Sequence, residues 1–267
     1  LQRGAATRFA APGEAAARAA AIRRRLDDVR RALRHLDFVM APSAFLRERF
    51  LDAGVLPPER IVHWPYGHDH ARFAAVARKP SSAVRVGYLG TISAYKGVGV
   101  LIDALERLTG LPVAGRIHGA LEIFPTFTAE LKARAKNPAT QFLGRFDNRR
   151  VGALFAEIDV LVVPSLWWEN SPLTISEAFL AGTPVIVSDI GGMAEMVQDG
   201  VNGFRVPPGD PEALAAALRR FVDDPTLVER LRPKPSSVRD IRDDAARAEL
   251  EMFRLVEAAR AAAKGSR

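Results

Sequence analysis

Ile158-Asp-Val-Leu-Val-Val-Pro-Ser-Leu-Trp-Trp-Glu-Asn-Ser-Pro-Leu-Thr-Ile-Ser-Glu-Ala178 runs from an unbroken apolar stretch through a polar and aromatic loop into a helix-forming segment. Ile158 to Val163 is apolar enough for a central parallel strand, which is covered on both faces and so has no polar side to show. Ser171-Pro172 marks a helix start, because a proline in the first turn gives up an N–H that would have no partner anyway. Two carboxylates bracket the junction. Glu169 falls in the loop at the carboxyl end of the strand, and Glu177, eight residues on, falls about a turn and a half into the helix. Ligands of open α/β sheets bind beyond the carboxyl ends of the strands.

Outward from this junction the pattern alternates. Strands are expected at Val84 to Leu89, Pro112 to His118, Thr140 to Leu143, Ile158 to Val163, Pro184 to Val187 and Gly203 to Val206. Helices are expected between most of them, at Gly97 to Leu108, Phe127 to Ala135, Arg149 to Ala156, Pro172 to Ala181 and Met193 to Gln198, and then at Asp210 to Phe221 and Asp240 to Ala263. Such alternation implies right-handed crossovers and an α/β class, a Rossmann-like parallel sheet with helices on both faces. The segment before it differs. Gly13 to His35 reads as a long amphipathic helix, Leu36 to Met40 and Arg60 to His63 as short strands, and Ser43 to Asp52 as a helix ended by Gly54. That is too few strands for a sheet of its own, so residues 1–76 read as the tail of a domain, 77–83 as a Pro/Ser linker, 84–235 as the main domain and 236–267 as a C-terminal helix. The chain opens on Leu1 rather than Met and reads as a piece of a longer protein.

With 267 residues, 48% of them apolar, the chain can bury a substantial core. It has no cysteine, which excludes disulfides, thiolate metal sites and a cysteine nucleophile and fits a cytoplasmic setting. No run approaches the roughly 18 to 20 apolar residues of a membrane span. The formal net charge of +7 makes phosphates, anionic lipid or nucleic acid possible partners. Much of the excess is local, in Arg23, Arg24, Arg25, Arg30, Arg31 and Arg34 and again in Arg247, Arg254, Arg260, Lys264 and Arg267. These stretches read as solvated helix faces or a surface toward protein outside this sequence, or else as a contact to nucleic acid or, peripherally, to a membrane on its cytoplasmic side. Without an aromatic-interleaved basic stripe or a Cys/His finger, no nucleic-acid partner is expected.

At the expected carboxyl ends stand Gly90-Thr-Ile-Ser-Ala-Tyr-Lys96-Gly97, His118-Gly119, Gly144-Arg145 and the segment Ser165 to Glu169. Lys96 precedes a helix amino end, where the macrodipole already disfavours a cation, so either it points to water or an anion such as a diphosphate lies between them and the Gly90 turn. Glu177 is either a helix-face acid paired with an arginine or an acceptor for the vicinal hydroxyls of a ribose. Glu169 is either a dipole-complementing acid or a contact to a sugar hydroxyl. Trp167 and Trp168 offer a stacking face to a sugar or base, although tryptophans at a strand end are more commonly core. His118 reads more readily as a structural histidine than as a base. His63, His68 and His70 lack carboxylates other than Asp69, and no metal is expected.

Taken together, Glu169 and Glu177 with their seven intervening residues, Ala178-Phe-Leu-Ala-Gly-Thr-Pro-Val-Ile-Val-Ser188, Gly191-Gly192, Val86-Gly-Tyr-Leu-Gly-Thr-Ile-Ser-Ala-Tyr-Lys-Gly97 and Asp199-Gly-Val-Asn-Gly-Phe-Arg-Val-Pro-Pro-Gly-Asp210 resemble the motifs of family 4, or group 1, retaining glycosyltransferases. The likeness reaches upstream to Asp37-Phe-Val-Met-Ala-Pro-Ser-Ala-Phe-Leu46 and Tyr66-Gly-His-Asp69 and covers roughly residues 36 to 225. It implies the C-terminal, nucleotide-sugar-binding half of a two-domain GT-B fold and a metal-independent hexosyl transfer from a UDP- or GDP-sugar without a cofactor, as in polysaccharide biosynthesis. By position, Lys96 would contact the diphosphate with Gly90 and Thr91, Glu177 the ribose, and Glu169 the transferred sugar with backbone groups around Ser171, Pro172 and Leu173, while residues near Phe142, Leu143 and Arg145 would border the base; His118, Gly119 and Asn170 are further expected donor contacts. Lys96 and Glu169 are the expected catalytic pair. The family often has an arginine where this chain has Thr91, so either Thr91 and Lys96 suffice or Arg145 takes its place. The acceptor is unassigned, and most of the family's N-terminal domain lies outside this sequence. The alternative is a non-catalytic nucleotide-, glycan- or partner-binding module with an incomplete GT-B fold.

Overall fold

Each of the six apolar runs expected from Val84 onward becomes a strand of one parallel sheet in the computed structural model, which describes residues 12–74 and 76–265. The first eleven residues and Arg267, both included in the expectations above, lie outside the described residues. Contacts divide the chain into two compact units that meet in sequence between Trp64 and Pro65. The first contains α1 (Pro12–Leu33), β1 (Val39–Ala41), α2 (Ala44–Asp52) and β2 (Ile61–His63), with β1 and β2 paired in parallel. Extended pairing begins only at Val39, opposite Ile61, because the chain is still turning at Arg34-His35 after α1. Ala41, Leu56 and Ile61 form a small core in this unit.

The second unit holds β3 (Val84–Leu89), α3 (Val98–Arg107), β4 (Val113–His118), α4 (Pro125–Arg134), β5 (Thr140–Gly144), α5 (Val151–Phe155), β6 (Val160–Val163), α6 (Leu173–Leu180), β7 (Val185–Ser188), α7 (Gly191–Met196), β8 (Gly203–Val206), α8 (Pro211–Asp223), α9 (Leu227–Arg230) and α10 (Ile241–Gly265). Residues 65–76 belong to this unit, not to the first. The expected linker 77–83 is likewise tied into it, through Lys79 N to Ala156 O (2.9 Å) and Arg78 to the carbonyl of Gly182 (3.0 Å). The four-residue α9, too short to show a period, was not legible beforehand.

The strand order is β5-β4-β3-β6-β7-β8. Alternation along the strands sends Val86, Tyr88, Val160, Val162 and Ile186 to one face, under α3, α4 and α8, and Leu89, Leu161, Val185 and Val187 to the other, under α5, α6 and α7. The chain moves outward from β3 to β4 and β5, then returns to start β6 on the other side of β3. The connections leaving β3 and β6 therefore depart to opposite faces, and their carboxyl ends flank a gap. At the opposite ends the same strands are pinned together. Asp159 accepts from the backbone N of Arg85 (2.8 Å), its Nε (2.9 Å) and its Nη2 (2.8 Å), with both residues buried.

Because removing one partner of a buried ion pair strands the other charge, Asp159→Ala is expected to lower stability by about 3 to 5 kcal/mol. Urea unfolding of the variant checks this; a loss below about 1 kcal/mol would show that β3 and β6 are held by the sheet alone.

Candidate functional site

The gap between the ends of β3 and β6 is a crevice of about 220 Å³ lined by Tyr88, Gly90, Thr91, Lys96, Ser165, Glu169, Pro172, Leu173 and Thr174, with Leu89, Val162 and Val163 beneath. Lys96 arrives from the β3 side. It closes a one-turn 3-10 helix, Ala94–Lys96, ahead of α3 rather than lying inside α3. Gly97 makes the junction, with φ +70°, and a Cβ there would stand 1.8 Å from the carbonyl oxygen of Pro164; only glycine fits so tight an approach between the two loops. Leu166 N donates to Tyr95 O (2.8 Å) and completes the seam.

Glu169 arrives from the β6 side, and its Oε1 lies 2.7 Å from Lys96 Nζ. The ion pair spans the crevice. The hydroxyl of Ser165, itself fully buried, stands 2.9 Å from the same carboxylate oxygen and accepts from Trp167 N (3.3 Å). On the backbone side, Gly192 N donates to Glu169 O (2.6 Å), and Gly191 adopts φ +63° hard against Trp168 and Glu169. Ser165 and the Gly191-Gly192 clamp therefore fix the acid; the position of Ser165 at the strand end was legible, but its bond to Glu169 has no sequence signal. Tyr88 donates to Thr91 O (2.7 Å), and burial, with the charge of Glu169 next, raises the phenol's pKa, so it remains a neutral donor holding the Gly90-Thr91 turn. The amides of Leu173 and Thr174 open α6 ahead of its first backbone bond, from Ile175 N to Pro172 O (3.0 Å).

Glu177 does not share this pairing. It sits one helical turn beyond Leu173, is 7% exposed, and among the described residues receives no hydrogen bond or ion pair on its carboxylate. Burial raises its pKa, opposed only by the charge of Arg72. The helix-face acid paired with an arginine is thus not what is found, and Arg72 is the one charged neighbour that sequence reasoning did not mark.

His118, Leu143 and Arg145 line a separate and larger cavity of about 680 Å³, with Arg72, Phe146, Asp147 and α5. His118 is buried edge-on to Phe146, with ring centroids 6.0 Å apart, and its Nδ1 has no partner. Burial and then Arg116 hold its imidazole below the usual pKa, hence neutral at physiological pH. Arg145 pairs at the surface with Glu122 (2.5 Å). Phe142 turns the other way, against the core under α3 and α4, with Lys132 Nζ 5.9 Å from its ring. Gly119 is buried, and Asn170 and Ser171 follow Glu169 in the loop before α6. Trp167 and Trp168 are not core residues: the loop carries them outward, and both are largely exposed. Among the described residues no group of three or more His, Asp or Glu side chains is placed to hold a metal ion, and no helix is long and apolar enough to cross a membrane.

A family model described as glycosyl transferases group 1 matches residues 70–235. Glycogen synthase of Mycobacterium tuberculosis (strain H37Rv) is 37% identical over 171 residues, 61% of this chain and 40% of that protein. D-inositol 3-phosphate glycosyltransferase of Streptomyces griseus is 34% identical over 194 residues, 65% of this chain and 41% of that protein. The chain spans about two fifths of the length of these curated relatives. Among solved structures, sucrose-phosphate synthase from Thermosynechococcus elongatus superposes with a TM-score of 0.76 at 26% identity, covering 89% of this chain and 62% of that one. Anabaena Alr3699/HepE in complex with UDP and glucose gives 0.74 at 23% identity, covering 85% and 67%, a likeness of fold.

A carboxylate whose folded pKa is raised keeps its proton in the native state over a pH range where the unfolded chain has lost it, so stability falls as pH rises through that range and stays lower above it. Glu177→Gln is accordingly expected to match the parent below about pH 4.5 and to gain in melting temperature as pH rises above it. Thermal melts from pH 4 to 8 check this; a variant less stable than the parent at pH 8 would mean that the carboxylate has a partner worth more than its desolvation.

Proposed function

From a chain that belongs to the glycosyl transferases group 1, with the parallel α/β sheet of the GT-B glycosyltransferases, we propose the donor-binding half of a retaining enzyme that transfers a sugar from a UDP- or GDP-sugar. The observation that carries this reading is the combination at the strand-order reversal: a cation and an acid facing each other across the crevice, beside a buried carboxylate with no partner of its own. In this reading a diphosphate takes Lys96, the Gly90-Thr91 turn and the amides of Leu173 and Thr174, where the helix dipole favours negative charge. The two hydroxyls of a ribose supply Glu177 with the donors it lacks. The base enters the larger cavity beside His118, Leu143 and Arg145. Because Arg145 pairs with Glu122 outside the crevice lining, Thr91 and Lys96 are assigned the phosphate without a replacement guanidinium. That Alr3699/HepE was solved with UDP and glucose supports a nucleotide sugar for this fold.

The ion pair sets the chemistry. Without a ligand Lys96 and Glu169 neutralise each other; a donor exchanges the pair for two contacts of its own, phosphate on Lys96 and sugar hydroxyls on Glu169. As the glycosidic bond lengthens, negative charge gathers on the leaving diphosphate, and Lys96 with the α6 amides stabilises it in place, in a role that needs no metal. Positive charge at the anomeric carbon is offset by Glu169. Neither glutamate is assigned a proton: the acceptor hydroxyl approaches from the face the phosphate leaves, and the phosphate oxygen takes its proton, which retains configuration. The chain is assigned to the cytoplasm, completed by an N-terminal domain of the same protein, and its basic helices α1 and α10 are the assigned surfaces for any membrane contact.

Calorimetry with UDP, GDP, ADP and their common sugars tests the assignment. Glu177→Ala is expected to weaken the bound nucleotide by about 1 to 3 kcal/mol, the scale of hydrogen bonds to a charged group, and unchanged affinity in a folded variant contradicts the ribose contact. Glu169→Ala is expected to spare the bare nucleotide and weaken the nucleotide sugar; equal losses for both place Glu169 elsewhere than at the sugar.

A further inference from the structure

Trp167 and Trp168 are 63% and 61% exposed, and Tyr95, Leu166 and Leu173 beside them are 48%, 47% and 53% exposed. Single apolar side chains at a surface need no explanation, but five large ones, on the turn that carries Lys96, the loop that carries Glu169 and the first residue of α6, mark a binding surface. Their backbone is held firmly. Leu166 N donates to Tyr95 O (2.8 Å), Trp167 N to Ser165 Oγ (3.3 Å), and the Gly191 backbone packs so closely that a Cβ there would lie 3.1 Å from Trp168 Cα and 2.9 Å from Glu169 O. The contacts that fix Lys96 and Glu169 thus also fix the segment bearing the two indoles, more than half of whose surface is exposed.

The composition of the rim selects the occupant. Flat aromatic faces stand next to an exposed amide, Asn170, and at the edge of a crevice lined by hydroxyls and charges. A pyranose ring has this same division, an apolar C–H face and a polar hydroxyl edge, whereas an acyl chain offers nothing to the polar part. We propose that Trp167 and Trp168, with Tyr95 and Leu173, form a platform on which a saccharide acceptor stacks at the mouth of the crevice. This rests on the glycosyl-transfer reading above, since an attacking hydroxyl must come within about 3 to 3.5 Å of the anomeric carbon and so must be presented from the mouth.

Saturation-transfer NMR on maltotriose, cellotriose, mannotriose and chitotriose, each with the chain with and without UDP, tests the platform, with phosphatidylcholine–phosphatidylglycerol vesicles in a sedimentation arm and UDP calorimetry alongside. At least one trisaccharide is expected to bind, about three- to tenfold more weakly after Trp167→Ala or Trp168→Ala, the range of an aromatic face contact, and close to the parent after Trp→Phe at either position. UDP affinity is expected to be unchanged in all four variants, which also reports that they are folded. No saccharide binding, binding that survives the double alanine variant, or vesicle binding in its place overturns the platform. Absence of UDP binding by the parent chain counts instead against the donor-site reading, and the arm without UDP keeps the two failures apart.

Discussion

The reversal of strand order between β3 and β6 is the constraint from which the rest follows. Two neighbouring parallel strands send their chains to opposite faces of the sheet, so the space beyond their carboxyl ends cannot be filled by either crossover. Arg85 and Asp159 hold the pair at its closed end, and Gly97 lets the two loops come into backbone contact at its open end. Between those limits the crevice has a fixed width, and the 2.7 Å ion pair of Lys96 and Glu169 measures it.

Charge is handled differently on the two acids of the junction. Glu169, in a loop, has a cation, a buried hydroxyl and a glycine clamp around it; Glu177, on a helix, has only burial, opposed by the charge of Arg72. Desolvation of an unpaired carboxylate costs stability, and such a cost marks Glu177 as the place where the proposed ligand would supply donors. The pair that spacing alone would suggest as acid and base is thus separated by environment into a neutralised contact and an unsatisfied one.

Most of the fold was legible because parallel strands buried on both faces are continuous apolar runs, and Val84–Leu89 and Gly203–Val206 fall where the pattern placed them. The loops were less so. The Trp168–Glu169 backbone is packed by Gly191 at the start of α7, a contact distant in sequence that no local pattern carries. Phe142 faces the core by strand alternation, a matter of register that its place in the motif concealed. The Pro/Ser stretch at 77–83 reads as a linker by composition, yet Arg78 and Lys79 anchor it by long-range contacts that composition does not record. Arg72 entered the site through tertiary contact alone, as did the role of Ser165 as a partner of Glu169.

Amide chemical-shift mapping of the isotope-labelled chain during UDP titration addresses the central claim most directly. The largest shifts are expected on Gly90, Thr91, Lys96 and the amides of Glu169 to Ser171 and Leu173 to Glu177, with a second group at His118, Leu143 and Arg145. Saturable shifts confined to residues away from the ends of β3 and β6 would contradict it.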